Sequence, residues 1–303
     1  MWLLALSLLA ADSSRVFTLP LSPTESLHVE STGEGEPVVL LPGLFGSAFG
    51  FRRLVPLLVE AGYRAVVVEP LGIGLSARPA NADYSLLAQS DRVAAALDSL
   101  GLKHAVLIGH SMGGAMAFRV AYRHPDLVRG FISLEGGPTE QATTPAFRRA
   151  MRFVPWIKVF GGIRLIRRKI RSSLIFSSGD PGWVTDSVVQ GYTAGAARDL
   201  NATLKSFLAM ARSKEHEPLR PHLGEVRCPV RLVLGTAPQH DGSVGSDEVD
   251  LLARTLPNFA VDSADGAGHF IQEEQPERVM VALDELEHTL REAGGRGSAP
   301  GSR

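Results

Sequence analysis

The chain has 303 residues, of which 45% are hydrophobic and 21% are charged, as expected of a globular protein with one large domain or one domain carrying an insertion. Its formal net charge of −1 argues against nucleic acid as the main partner. The single cysteine, Cys228, excludes an intramolecular disulfide and cannot form a metal site alone.

The two ends of the chain differ in composition from the rest. Residues 1–11 form an apolar run of signal-peptide length, without a preceding Lys or Arg, that is too short to span a bilayer. Residues 1–14 are therefore either a cleaved signal or a short apolar helix packed on the body, and localisation, cytoplasmic or exported, stays open. The Gly-, Ser- and Arg-rich residues 294–303 are typical of a disordered tail.

Strand-like and helix-like segments alternate along most of the chain. The pattern predicts strands over residues 15–21, 27–31, 37–41, 64–69, 105–109, 130–135, 230–235 and 259–264. It predicts helices over residues 48–62, 84–100, 111–122, 247–256 and 276–292. The first two strands form a hairpin, and the later alternation indicates a mostly parallel sheet with helices on both faces. Sites in such sheets lie at the carboxyl ends of the strands.

The alternation is interrupted over residues 137–223, which we interpret as a helical cap inserted between two parts of the core, residues 15–136 and 224–293. Within the cap, residues 148–171 carry nine Lys or Arg and no acid, and apolar and basic residues interleave at helical spacing. This pattern is typical of a packed helix with a solvated basic face or of a lid that contacts anionic lipid. In either case the apolar residues predict a hydrophobic pocket.

The stretch Gly109-His110-Ser111-Met112-Gly113 lies between a predicted strand and a predicted helix. This is the context of a nucleophile elbow, in which a serine occupies a tight, strained turn at the top of a sheet. Glycines are needed beside the turn because a side chain there would collide with the neighbouring strand or helix. The Ser111 hydroxyl is then expected at a helix N-terminus, where developing negative charge is stabilised.

Three other stretches resemble motifs of one family. Residues 40–46 (Leu-Leu-Pro-Gly-Leu-Phe-Gly) resemble its oxyanion loop, and residues 69–76 (Glu-Pro-Leu-Gly-Ile-Gly-Leu-Ser) resemble its Asp-x-x-Gly-x-Gly-x-Ser turn. Residues 266–270 (Gly-Ala-Gly-His-Phe) resemble the loop that delivers the catalytic histidine. Over residues 25–292 the chain thus resembles the α/β-hydrolase fold superfamily, in the branch of serine esterases and lipases with a helical cap.

The resemblance implies a role for each motif residue. Ser111 is the nucleophile, His269 is the general base, and the backbone amides of Leu44 and Met112 form the oxyanion hole. Two positions depart from the family pattern. Pro42-Gly43 replaces His-Gly, which leaves the backbone donor in place, and Glu69 replaces Asp, where we expect it to hydrogen-bond the turn.

The acid that orients the histidine is less clearly indicated. In relatives it usually follows the strand predicted here over residues 230–235, but the corresponding position is Pro238. A local insertion of about three residues would place Asp241 at the site, and we predict Asp241 as the acid. Glu135 is the alternative, because some branches of the fold place the acid after the strand that ends there. Two further acids are weaker candidates: Asp247 and Asp262.

These residues predict a serine hydrolase that cleaves a hydrophobic carboxylic ester through an acyl-enzyme. Alternatives are a C–C-bond hydrolase, a haloperoxidase or perhydrolase, a thioesterase or a lactonase, and a non-catalytic binding protein of the same fold. Epoxide hydrolases and dehalogenases of the family carry Asp at the position of Ser111. We expect no metal and no organic cofactor, a small hydrophobic ester as substrate, no nucleic-acid partner and peripheral membrane contact through residues 148–171.

Overall fold

The computed structural model describes residues 14–151, 162–237 and 244–296. One eight-stranded sheet forms the centre, in the order β1-β2-β4-β3-β5-β6-β7-β8. The strands are β1 (Arg15–Pro20), β2 (Ser26–Thr32), β3 (Pro37–Leu41), β4 (Arg64–Glu69), β5 (Ala105–His110), β6 (Val128–Leu134), β7 (Val230–Gly235) and β8 (Phe259–Ala264). Strands β1 and β2 pair antiparallel, β2 pairs antiparallel with β4, and β3 to β8 run parallel. The predicted fold class is confirmed.

The sheet is covered by helices on both faces. The helices of the core are α1 (Leu54–Glu60), α2 (Leu86–Ser99), α3 (Met112–Arg123), α9 (Ser246–Thr255), α10 (Ile271–Glu274) and α11 (Pro276–Arg296). Those between β6 and β7 are α4 (Pro145–Met151), α5 (Gly162–Phe176), α6 (Asp186–Tyr192), α7 (Ala194–Arg198) and α8 (Leu200–Arg212). The described part of residues 137–223 is therefore largely helical.

Strand β3 shows why the sheet is buried on both faces. Its side chains alternate between two cores: Val39 and Leu41 pack with helices α2 and α3, whereas Val38 and Leu40 pack with helices α1 and α11. All four are fully buried. A strand in this position needs apolar residues at every position, since both of its faces meet a helix layer. Loops at the carboxyl ends of the parallel strands contact the helical segment that joins β6 to β7.

The segment predicted as one helix over residues 48–62 is instead a 3-10 helix, Ala48–Phe51, followed by α1. Pro56 is the physical reason. Proline cannot donate a backbone hydrogen bond, and its ring collides with the carbonyl four residues earlier, so it is accepted only in the first turn of an α-helix. The α-helix accordingly starts two residues before Pro56.

Several predicted features lie outside the described residues: the apolar segment over residues 1–13, Asp241, and the end of the tail from residue 297. Helix α11 continues to Arg296 and so includes the first three residues of the segment assigned to the tail. No helix in the described ranges combines the length and the hydropathy that crossing a membrane requires.

Candidate active site

Ser111 forms the turn between β5 and α3. Its backbone has φ 53° and ψ −116°, a conformation that non-glycine residues rarely adopt. The turn is stabilised because the Ser111 amide donates to the carbonyl of Leu134, at 2.8 Å, in the neighbouring strand. Such strain persists only where the surrounding structure enforces it, and it is typical of functional turns. The strand–turn–helix geometry of a nucleophile elbow is thus present at Ser111.

The glycines on either side permit this turn. A Cβ atom on Gly113 would lie 2.0 Å from the carbonyl oxygen of Leu41, and one on Gly109 would lie 2.4 Å from the carbonyl carbon of Gly113. Both distances are shorter than any real Cβ contact and involve backbone atoms that cannot rotate away. Helix α3 therefore approaches the sheet closely enough to present Ser111 only because these positions lack side chains.

The loop after β3 lies against the nucleophile. A Cβ on Gly43 would be 3.1 Å from the Cβ of Ser111, so the backbone of this loop passes directly beside the serine. Among the described residues, the amides of Leu44 and Met112 have no hydrogen-bond acceptor. Met112 is the first residue of α3, where the helix itself offers no acceptor. Two free backbone donors beside a serine are what an oxyanion hole requires.

The Glu69 carboxylate holds the turn that follows β4. It accepts hydrogen bonds from the amides of Ala48, at 2.8 Å, and Leu75, at 2.5 Å, and the side chain is almost fully buried. A Cβ on Gly74, which has φ 52°, would lie 2.1 Å from this carboxylate. Burial raises the pKa of Glu69, and the two amide hydrogen bonds oppose that shift. Glu69 is therefore a structural group of the turn.

His269 and Glu135 face each other at the carboxyl ends of the strands. The Nδ1 atom of His269 lies 3.7 Å from Oε2 of Glu135, and the two side chains are 12% and 1% exposed. Within the described structure, neither of these two buried atoms has a hydrogen-bond partner. The other oxygen of Glu135 accepts from the amide of Gly235 at 2.6 Å. A shift of less than 1 Å would complete a carboxylate–imidazole hydrogen bond.

The other candidate acids differ in position. Asp262 is held in ion pairs with Arg231, at 2.8 Å, and Arg278, at 3.0 Å. Asp247 is exposed in the first turn of α9. Neither of these two is paired with His269. Asp241 lies outside the described residues, and Glu135, the alternative acid, is the carboxylate that the structure brings to His269.

His110 lies inside the elbow motif, where the sequence predicts a residue that packs or shapes the pocket wall. Its Nε2 lies 2.9 Å from the backbone carbonyl of His269, and the two imidazole rings are 4.8 Å apart between centroids. Burial lowers the pKa of His110 to about 3, and the nearby His269 contributes to this shift. His110 is therefore neutral, and since a carbonyl only accepts, its Nε2 carries the proton. Its place inside the elbow motif was the signal for this contact.

The histidine loop is hydrogen-bonded to the chain that follows α5. The amide of His269 donates to the carbonyl of Ser177 at 2.7 Å. The Glu274 carboxylate joins the same two segments, accepting from the amide of Gly268 at 3.0 Å and from that of Gly179 at 2.8 Å. The position of His269 thus depends on the helical segment between β6 and β7 as well as on the core.

A cavity of about 490 Å³ lies between this helical segment and the oxyanion loop. Its walls are mainly apolar and include Phe45, Phe147, Leu165, Ile170, Leu204 and Phe207. Leu44 and Gly46 of the oxyanion loop line the same cavity. Ser111 is not itself a wall residue, and the oxyanion loop connects the nucleophile to the cavity. The space suits the apolar part of a small molecule.

Of the residues that the structure describes, no three His, Cys, Asp or Glu side chains are grouped so that they could hold a metal ion. The assembled groups are a serine in a strained turn, two free amides, an imidazole and a buried carboxylate. Groups of these kinds are the ones that nucleophilic catalysis uses.

Comparison with known proteins relates the chain to a family of known fold. A family model of the alpha/beta hydrolase fold matches residues 36–180. The sn-1-specific diacylglycerol lipase of Mus musculus is 27% identical over 261 residues, covering 81% of this chain and 79% of that protein. Haloalkane dehalogenase 2 of Mycobacterium tuberculosis is 26% identical over 273 residues, covering 86% and 90%.

Among solved structures, Cfl2 from Burkholderia cenocepacia superposes with a TM-score of 0.74 at 25% identity, over 90% of this chain and 95% of that one. The family match over residues 36–180 includes strands β3 to β6 and the turn at Ser111. The chain has the α/β-hydrolase fold, and its similarity to these proteins supports a hydrolase activity.

Proposed function

We propose that this hydrolase cleaves hydrophobic carboxylic esters through an acyl-enzyme on Ser111. The observation that carries the proposal is the apolar cavity that opens onto the oxyanion loop beside Ser111. An acyl chain in this cavity would place its carbonyl next to the two free amides of the loop and of helix α3. The imidazole of His269, whose ring centroid lies 4.8 Å from that of His110, would supply the base that such a reaction needs.

In the proposed reaction, His269 removes the proton from the Ser111 hydroxyl as its oxygen attacks the ester carbonyl. The amides of Leu44 and Met112 stabilise the oxyanion of the tetrahedral intermediate. The intermediate collapses when the C–O bond to the alcohol breaks, and the imidazolium returns its proton to the departing alkoxide. Water then attacks the acyl-enzyme by the same route and releases the carboxylic acid and the free serine.

Glu135 is the acid of this proposal in preference to Asp241. Its carboxylate is buried, one oxygen is fixed by the Gly235 amide, and the other faces Nδ1 of His269. An acid in this place keeps the proton on Nδ1 and leaves Nε2 free to act as the base.

The nucleophile favours ester chemistry over the other activities of relatives. Haloalkane dehalogenases and epoxide hydrolases occur among the similar proteins, but the family resemblance assigns them Asp where this chain has Ser111. The diacylglycerol lipase is an ester hydrolase by its name and is similar over most of the chain.

The test is hydrolysis of p-nitrophenyl esters from acetate to palmitate by the wild type and by Ser111→Ala. We expect activity in the wild type, highest for acyl chains that fill the cavity, and a loss of about a thousandfold or more in Ser111→Ala. A fluorophosphonate should label the wild type only. Absence of ester hydrolysis together with absence of labelling would refute the proposal and favour a binding protein.

Peripheral membrane contact through the basic segment 148–171 is a second part of the proposal. On helix α5, Arg164, Arg168 and Ile175 are exposed. A face that combines cations with an apolar side chain suits an anionic lipid surface. Sedimentation with liposomes should show binding to phosphatidylserine-containing vesicles that weakens in salt and in Arg164→Glu, and no binding to neutral vesicles. Equal sedimentation with both vesicle types would contradict it.

A further inference from the structure

The cavity beside the oxyanion loop has mainly apolar walls but also carries positive charge. Among its described wall residues are two cations, Arg78 and Lys169, and no Asp or Glu. Arg78 belongs to the loop that follows β4, whereas Lys169 is an exposed residue of α5. A cavity that received only hydrocarbon would gain nothing from two cations, because placing a charge next to apolar surface costs free energy unless a partner neutralises it.

Arg78 is incompletely satisfied in this structure. Its Nη1 donates to the carbonyl of Ser76 at 3.0 Å, and its Nη2 donates to the carbonyl of Gly74. Its Nε is buried and has no hydrogen-bond partner among the described residues. A buried donor left unpaired costs about 1–3 kcal/mol, so the guanidinium retains a capacity that the protein itself does not use.

No acid in the described part of the chain neutralises this guanidinium by direct contact. Glu69 and Asp199 act on Arg78 through their charge, but both use carboxylate oxygens elsewhere. Glu69 accepts from the backbone amides of Ala48 and Leu75, and Asp199 accepts from that of Ala202 at the start of α8. Among the described residues, the Arg78 guanidinium thus has no carboxylate in direct contact and can form an ion pair with a ligand in the cavity.

We infer that the part of the substrate that occupies the cavity is an apolar chain bearing a carboxylate, which Arg78 binds and Lys169 attracts. The inference rests on the proposed ester hydrolysis and specifies its substrate class. A guanidinium offers donors in a planar fork that matches the two oxygens of a carboxylate. Leu44 and Arg78 line the same cavity, so one ligand can reach both the oxyanion hole and the cation.

The test compares p-nitrophenyl monoesters of six- and eight-carbon dicarboxylic acids with the matched hexanoate and octanoate esters. The ratio of kcat/KM for the anionic ester to that for the neutral ester is the readout. We expect a ratio above one in the wild type and a fall of about tenfold to a hundredfold in Arg78→Met, as loss of a charged hydrogen bond gives. Arg78→Lys should restore part of the ratio.

Matched variants separate binding from other effects. Lys169→Met should lower the ratio by a few fold, since its charge is exposed. Lys205→Met, an exposed residue of α8 outside the cavity wall, makes the same charge change and should leave the ratio unaltered. A wild-type ratio below one, or an equal fall for both esters in Arg78→Met, would overturn the inference; the equal fall would mean that Arg78 only holds its loop.

A binding measurement distinguishes this inference from the proposed reaction. Calorimetric titration of Ser111→Ala with octanoate should show binding that weakens at least tenfold in Ser111→Ala/Arg78→Met, whereas 1-octanol should bind both alike. If no ester is cleaved but octanoate binding depends on Arg78, the anion site stands and the esterase proposal fails. If esters are cleaved but octanoate and 1-octanol respond alike to the Arg78 change, the anion site is wrong.

Discussion

Replacing Glu135 by Gln tests the assignment of the acid most directly. Oε2 of Glu135 is 3.7 Å from Nδ1 of His269, and both side chains are nearly buried. At this distance a carboxylate and an imidazolium attract each other by about 4.5 kcal/mol at an effective dielectric constant of about 20. In the proposed reaction, an imidazolium develops on His269 as Ser111 is deprotonated, so this energy would stabilise the transition state. Its loss should lower kcat on the order of 10³-fold.

The substitution is conservative for the fold. Gln keeps a carbonyl oxygen that can accept from the amide of Gly235, so the buried contact at the end of β7 is retained. Initial rates over a range of p-nitrophenyl butyrate concentrations would give kcat and KM separately. We expect kcat to fall while KM stays nearly constant.

Asp241→Asn is the matched control because it makes the same isosteric change at the residue that the sequence analysis ranked first. It should change kcat by less than about threefold if Glu135 is the acid. A loss of about a thousandfold in Asp241→Asn, with less than tenfold in Glu135→Gln, would refute the argument from the His269 contact.

Two further predictions follow from the packing of the elbow. Gly113→Ala places a Cβ 2.0 Å from the Leu41 carbonyl oxygen and should destabilise the fold by about 3 kcal/mol or more. Gly62→Ala is the control, because Gly62 also has a positive φ, 85°, but its Cβ would meet no atom within 4 Å, so it should cost only about 1–2 kcal/mol. Urea denaturation measures both losses, and equal losses would contradict the steric argument. The second prediction concerns His110, whose pKa is lowered to about 3 in the folded state. Below about pH 6.5 the unfolded chain therefore binds more protons than the folded protein does, so the free energy of unfolding falls as the pH decreases. Between pH 7.5 and pH 5 the wild type should lose about 2 kcal/mol more unfolding free energy than His110→Asn, and parallel pH dependences would be inconsistent with a neutral buried imidazole.

Much of the fold could be read from local patterns. The strand over residues 37–41 is a continuous apolar run, and its two-sided burial is what that pattern predicts. The glycines around Ser111 likewise predicted a turn that the backbone angles show. The α-helix predicted from residue 48 begins instead at Leu54. The apolar spacing predicts the earlier start, but proline has no N–H, so Pro56 must lie in the first turn of the helix.

The sequence alone determined the alternation of strands and helices, the elbow at Ser111 and the loop that carries His269. These depend on residues close together in the chain, where steric limits act directly. Only the tertiary structure decided three other features. These are the carboxylate that faces His269, the hydrogen bond from His110 to the carbonyl of His269, and the unpaired Nε of Arg78. They depend on distances between residues far apart in the chain, set by the packing of β6, β7 and the helices between them.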